Sequence, residues 1–73
     1  MIPQPDLDAA LLAAHAADDR AGLVTLYETA AHGAPAEAQS FFLTQAYVFA
    51  LETGHPRAAP LRAALVARGA ETP

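Results

Sequence analysis

Three histidines and two pairs of aspartates are the residues of this chain whose types and spacing could do chemistry. His15 lies three and four residues before Asp18 and Asp19. On a helix that spacing brings side chains to one face and could offer two or three metal ligands. Zinc sites bring three or four nitrogen or sulfur ligands at compact spacing, which this stretch does not supply. The simpler reading is positional. A histidine near a helix C-terminus suits the helix dipole, and the aspartates cap the helix that follows. His32 and His55 fall at expected helix ends as well. Acid–base catalysis needs paired groups in a pocket with separated pKa values. Asp6/Asp8 and Asp18/Asp19 are pairs in sequence, but both stand at expected helix starts, where capping and solvation account for them. The serine and threonines have no histidine neighbour in sequence. Tyr27 and Tyr47 read as core residues whose hydroxyls reach the surface. No catalytic, cofactor-binding or metal site is expected, and the chain is not expected to be an enzyme.

The elements that position these residues must come from one small domain of 73 residues. A chain of this length buries only about 60–65% of the surface it exposes when unfolded. It has no cysteine, so no disulfide staples it. Stability must come from helix packing, alone or together with self-association. Twenty residues are alanine and all four basic residues are arginine, a usage that fits a GC-rich bacterial genome. Alanine favours helix and lets helix axes approach closely. The net charge is −4 and the pI about 5, and Arg20, Arg57, Arg62 and Arg68 are scattered along the chain. Without a basic stripe, nucleic acid is not an expected partner. The first five residues lack the features of a signal peptide. The most apolar stretch, Phe41–Leu51, is far short of the ~20 residues a membrane span needs. A soluble cytoplasmic protein with no membrane partner is expected.

Four helices are legible in the pattern. Residues 1–5 read as a loose arm. Asp6 caps helix one, expected over Leu7–Ala17 with Leu7, Leu11 and Leu12 as its apolar stripe. Asp18 or Asp19 caps helix two, over Asp19–His32, where Leu23, Leu26, Tyr27, Ala30 and Ala31 recur at the helical period. Gly22 inside it suggests a close helix crossing, and Gly33 a left-handed stop. Pro35 opens helix three, which runs to Thr53 and stops at Gly54. Phe42, Leu43, Ala46, Phe49 and Ala50 share one broad face of it, flanked by Tyr47 and Leu51. Pro60 permits two readings of the last segment: a tight turn at 56–59 with a helix from Pro60 to Arg68, or a kinked continuous helix. Leu61, Ala64 and Leu65 face the core, Gly69 ends the helix, and residues 70–73 fray. The expected architecture is all-α: four short antiparallel helices arranged as two stacked helical hairpins.

The halves are weakly similar at an offset of 38, with Ala21 on Ala59, Leu23 on Leu61 and Tyr27 on Leu65. Repeats of this length are the mark of stacked helical hairpins. The stretch AYVFALETGHPRAAPLRAAL resembles the tetratricopeptide repeat and the related Sel1-like repeat. Ala46, Tyr47, Ala50, Gly54 and Ala59 can be placed on that pattern of small and aromatic residues. The chain departs from it at Pro60, in the missing bulky leucine before the small residue, and in a spacing longer than ~34 residues. The resemblance implies protein–protein binding on a concave face made by helices one and three.

Phe41 and Val48 do not fit the inner face of helix three. They fall seven residues apart among Thr44, Gln45 and Glu52, on its polar side. Phe41, Gln45, Val48 and Glu52 are therefore the expected partner-binding residues. The occupant of that line is a second copy in a homodimer, a different protein partner, or helix one of the same chain. The expected function is a small interaction or adaptor module. The alternative is an accessory or inhibitory subunit that regulates one enzyme through its acidic surface.

Overall fold

The computed structural model describes residues 4–70, with side chains from Leu7 onward. Helices α1 (Gln4–Ala16), α2 (Arg20–Gly33), α3 (Ala36–Thr53) and α4 (Ala58–Ala67) account for most of them, and the described residues include no strand. The fold is all-α. Of the expected loose arm at 1–5, residues 1–3 lie outside the described residues, while Gln4 and Pro5 are helical. Helix one thus starts before Asp6, not after it. A proline is tolerated there because first-turn N–H groups have no helical acceptor. Residues 71–73 of the expected frayed end also lie outside the description.

Helices α1, α3 and α4 end in the same way. The residue after the last turn adopts a left-handed conformation: Asp18 at φ 54°, Gly54 at φ 62° and Gly69 at φ 75°. The next N–H then reaches five residues back, from Asp19 to Ala14, His55 to Ala50 and Ala70 to Leu65, at 2.8–2.9 Å. This is the Schellman arrangement, which satisfies carbonyls that the helix leaves open. Gly54 and Gly69 behave as the sequence suggests. Gly33 does not. It is the last residue of α2, and the helix stops because Ala34 is extended at φ −90°, ψ 155°. The cause is Pro35, whose ring disfavours helical backbone in the residue before it.

Asp18 is the costly member of the set, because left-handed backbone suits glycine better than a residue with a Cβ. Its carboxylate does accept from Arg20 Nε at 3.1 Å, but that pair is exposed and contributes little. Asp18→Gly is expected to raise the melting temperature by about 2–5 °C in a domain this small. Thermal unfolding followed by circular dichroism checks this, and no rise would mean that the Asp18–Arg20 contact outweighs the backbone strain.

Two further local expectations are corrected. Gly22 is not explained by a helix crossing. Asp19 is the N-cap of α2 and accepts from Gly22 N–H at 3.0 Å, and a Cβ on Gly22 would collide with that carboxylate. Pro60 neither kinks α4 nor starts it. The helix begins at Ala58, so Pro60 falls in its first turn, where its missing N–H removes no helical bond. The chain enters α4 through a turn closed by Ala58 N–H to His55 O at 3.0 Å.

The core lies where α2, α3 and α4 meet. Val24, Ala46, Ala50 and Leu61 form its centre, with Tyr27, Leu43, Tyr47 and Phe49 packed around it. Leu23 and Leu65 are equally buried. Each large apolar side chain removed from water contributes about 1.5–3 kcal/mol. Backbone contact joins α1 to α2, α2 to α3 and α3 to α4, and is most extensive between α2 and α3. Alanines at 46 and 50 permit that approach. Helix α1 buries Ala14 but leaves Leu12 72% exposed, so Leu12 is not part of the inward stripe. Leu11, half-buried beside it, takes the inward place.

Candidate interaction surfaces

The residues that suggested chemistry are drawn to other partners. His15 turns to α2 and α3, away from the aspartates. Its Nε2 lies 2.9 Å from the Tyr27 hydroxyl, and its ring sits edge-on to Tyr27 and Phe49, both at 5.9 Å. Tyr27 in turn stacks on Phe49 at 6.0 Å and on Phe42 at 6.3 Å. Such aromatic contacts add about 0.5–1.5 kcal/mol each beyond burial. They tie α1 to the α2–α3 pair. Tyr27 is half-buried with its hydroxyl engaged. Asp18 holds Arg20, and Asp19 caps α2. His55 Nδ1 accepts from the Arg57 N–H at 3.0 Å and supports the turn into α4. Among the described residues, no three His, Asp or Glu side chains converge into a metal-ligating group. No helix among them is long and apolar enough to cross a membrane.

The outer face of α3 is the first candidate surface. Phe41 is 59% exposed and Val48 42%, so α1 does not cover the line they form. Leu51, assigned from sequence to the flank of the inner face, is 58% exposed and extends the apolar row by another turn. Phe41 rests edge-on against Phe42, with ring centres 5.3 Å apart. Gln45 is half-buried and Glu52 exposed. Glu52 Oε1 lies 3.4 Å from Arg20 Nη1, which links the end of α3 to the start of α2. Thr44, exposed on the same side, donates its hydroxyl to the Ser40 carbonyl at 2.8 Å.

A second surface is an open groove of about 410 Å³. Helix α2 contributes Glu28 and His32 to it, the start and end of α4 contribute Arg57 and Arg68, and α3 contributes Gln39 and Leu43. Arg57 donates twice to Glu28, from Nε to Oε1 at 3.0 Å and from Nη2 to Oε2 at 2.8 Å. The hydrogen bonds from Arg57 hold the Glu28 carboxyl below its ordinary pKa against a smaller opposing effect of burial, and the nearby His32 and His55 act in the same direction. Arg68 is oriented by two bonds to α3, from Nε to Ser40 Oγ at 2.9 Å and from Nη2 to the Ala36 carbonyl at 3.1 Å. This groove is not legible along the chain, because Arg57 and Arg68 are 25 and 36 residues from His32. Comparison with protein-family models, with curated proteins and with solved structures gives no match, so a functional reading rests on these two surfaces.

Proposed function

We propose that this chain is a small protein-binding module without catalytic activity of its own, similar in architecture to tetratricopeptide-type hairpins, and that the outer face of α3 is its docking surface. The observation that carries the reading is the row Phe41, Val48 and Leu51, exposed together on one side of the longest helix. Clustered exposed apolar residues rimmed by polar ones mark interaction sites, whereas scattered ones do not. The occupant is a second copy of the chain. Antiparallel pairing of α3 about its midpoint between Thr44 and Gln45 sets Phe41 opposite Val48 at both ends of the contact. It also brings Glu37 of one copy to Glu52 of the other, where Arg20 supplies the balancing cation. A standard interface buries about 800 Å² on each partner. That is under a fifth of the 4495 Å² surface of this chain.

Light scattering at about 100 µM tests the assignment, since micromolar affinity suffices for a dimer at that concentration. The wild type should run as a dimer, and the Phe41→Ser, Val48→Ser double variant as a monomer with its helix content intact. The expected weakening is a hundredfold or more, about 3 kcal/mol from two central apolar contacts. A monomeric wild type would remove the homodimer, and a dimer that persists in the double variant would place the interface elsewhere. The net charge of −4 favours one second reading: a cytoplasmic accessory or inhibitory subunit that meets a basic enzyme. Such a contact should weaken in about 0.5 M salt, where the Debye length falls well below 10 Å, while an apolar helix pairing should survive.

A further inference from the structure

The groove framed by α2 and α4 carries a charge opposite to that of the molecule. The chain as a whole has a net charge of −4. Yet two of its four arginines line this groove, together with His32, and Glu28 is the one carboxylate among the residues that line it. Glu28 is 17% exposed in its side chain and committed to Arg57. Two guanidiniums therefore face one carboxylate. Their bonds to Glu28, Ser40 and Ala36 use Nε and Nη2 in both arginines, so each keeps the two donors of Nη1 without a partner among the described residues. The Gln39 amide donates to the Ala34 carbonyl at 3.1 Å and keeps a second N–H. A guanidinium with spare donors prefers carboxylate or phosphate oxygens to water, because such bonds are charge-assisted.

We infer that this groove binds an extended acidic peptide segment, with its glutamate or aspartate carboxylates received by Arg57 and Arg68 at the two ends of α4 and an apolar neighbour seated on Leu43, Pro60 and Ala64. The shape favours a chain over a small molecule. Small-ligand sites enclose most of their ligand, whereas this trough is open along one side. A second concavity, of about 620 Å³ beside Thr25, Thr29 and Gly33, shares Glu28, His32 and Arg57 with the first. Arg57 and His32 thus stand where the two concavities join, while Arg68 lines the first alone. The Glu28–Arg57 pair shows how the site holds a carboxylate: both oxygens are taken by one guanidinium. Arg68, whose Nε and Nη2 are held by α3, offers a carboxylate from another chain its Nη1 donors. This surface is distinct from the outer face of α3, so the two assignments stand or fall separately.

The test is a titration of the full chain with a short blocked peptide of alternating leucine and glutamate, followed by amide chemical shifts. Its glutamine counterpart and citrate are the comparison probes. The glutamate peptide should shift amides at Glu28–His32, around Arg57 and near Arg68, saturating at about millimolar concentration. Arg68→Gln should weaken it about fivefold, the upper range for one exposed charge pair. Glu28→Gln should tighten it about two- to fivefold, because the resident carboxylate no longer competes for Arg57. A merely structural role for the pair predicts the opposite. Well-dispersed spectra of both variants verify their folding. The inference is overturned by no shifts in these segments at about 5 mM peptide, by equal binding of the glutamine peptide, or by weaker binding by Glu28→Gln. Citrate bound as tightly as the peptide would assign the groove to a small anion and overturn the peptide assignment. The monomer–dimer equilibrium, read in parallel, reports on the α3 face alone.

Discussion

Leu61→Ala is expected to leave little folded protein. Leu61 is 1% exposed and belongs to the central cluster with Val24, Ala46 and Ala50. With Leu65 it supplies the two buried anchors by which α4 is held. Removing a buried leucine costs about 2–5 kcal/mol, and the cost is highest where neighbours cannot relax into the space. The buried members of its own cluster are a valine and two alanines, all short and stiff. The whole domain, at 73 residues, has about 4–11 kcal/mol to lose. Urea unfolding monitored by circular dichroism should show a transition shifted toward zero denaturant, or no baseline for the folded state. Leu12→Ala is the control. It removes the same atoms from a side chain that is 72% exposed and should change stability by less than about 0.5 kcal/mol. If Leu61→Ala costs less than about 1 kcal/mol, then α4 is not held by this side chain.

The parts of this fold that were legible in the sequence are those set by neighbours along the chain. Gly54 follows a long apolar run, and a glycine there has few roles other than a left-handed stop. Asp19 precedes an apolar period and could be read as a cap. The line of Phe41 and Val48 follows from helical geometry alone, and both residues are exposed because α1 packs elsewhere. Where two local signals compete, the sequence alone does not rank them. Gly33 and Pro35 both announce the end of α2, and proline acts first because it constrains the residue before it. Leu11 and Leu12 are equally apolar neighbours 100° apart on a helix, and only tertiary packing decides which one turns inward. Leu51 is a similar case on the border of two faces.

What the sequence could not disclose is what folding brings together from a distance. His15 meets Tyr27 across 12 residues, and the pairing diverts a histidine from the aspartates that follow it. Arg57 reaches Glu28 across 29 residues and Arg68 reaches Ser40 across 28. Scattered along the chain, four arginines suggest no binding patch. Two of them share one groove because α2 and α4 flank the same helix. Composition described the average charge of the molecule accurately and its local charge not at all.

Ala46→Leu is expected to damage the protein nearly as much as the loss of Leu61, by the opposite route. Ala46 is fully buried in α3, in the cluster where α2, α3 and α4 meet. A leucine there adds three carbons to a contact that has no space for them. Overpacking of this kind costs about 1–3 kcal/mol, and more when the backbone must move. In this chain the backbone must move, because α2 and α3 share the most extensive backbone contact and are joined by only Ala34 and Pro35. Separating them would also loosen Leu23, Val24 and the Tyr27 stack on Phe49, which lie on the same side of α2. We expect a loss of about 3 kcal/mol, with a broadened thermal transition. Ala46→Ser separates volume from polarity at the same position. Its hydroxyl fits, and it can bond back to a carbonyl four residues earlier, as Thr44 does to Ser40. That variant should lose only about 1 kcal/mol. If leucine is tolerated as well as serine, the small side chain is not what allows α2 and α3 to approach. The many alanines would then reflect composition alone, and the close packing at the centre of the fold would need another cause.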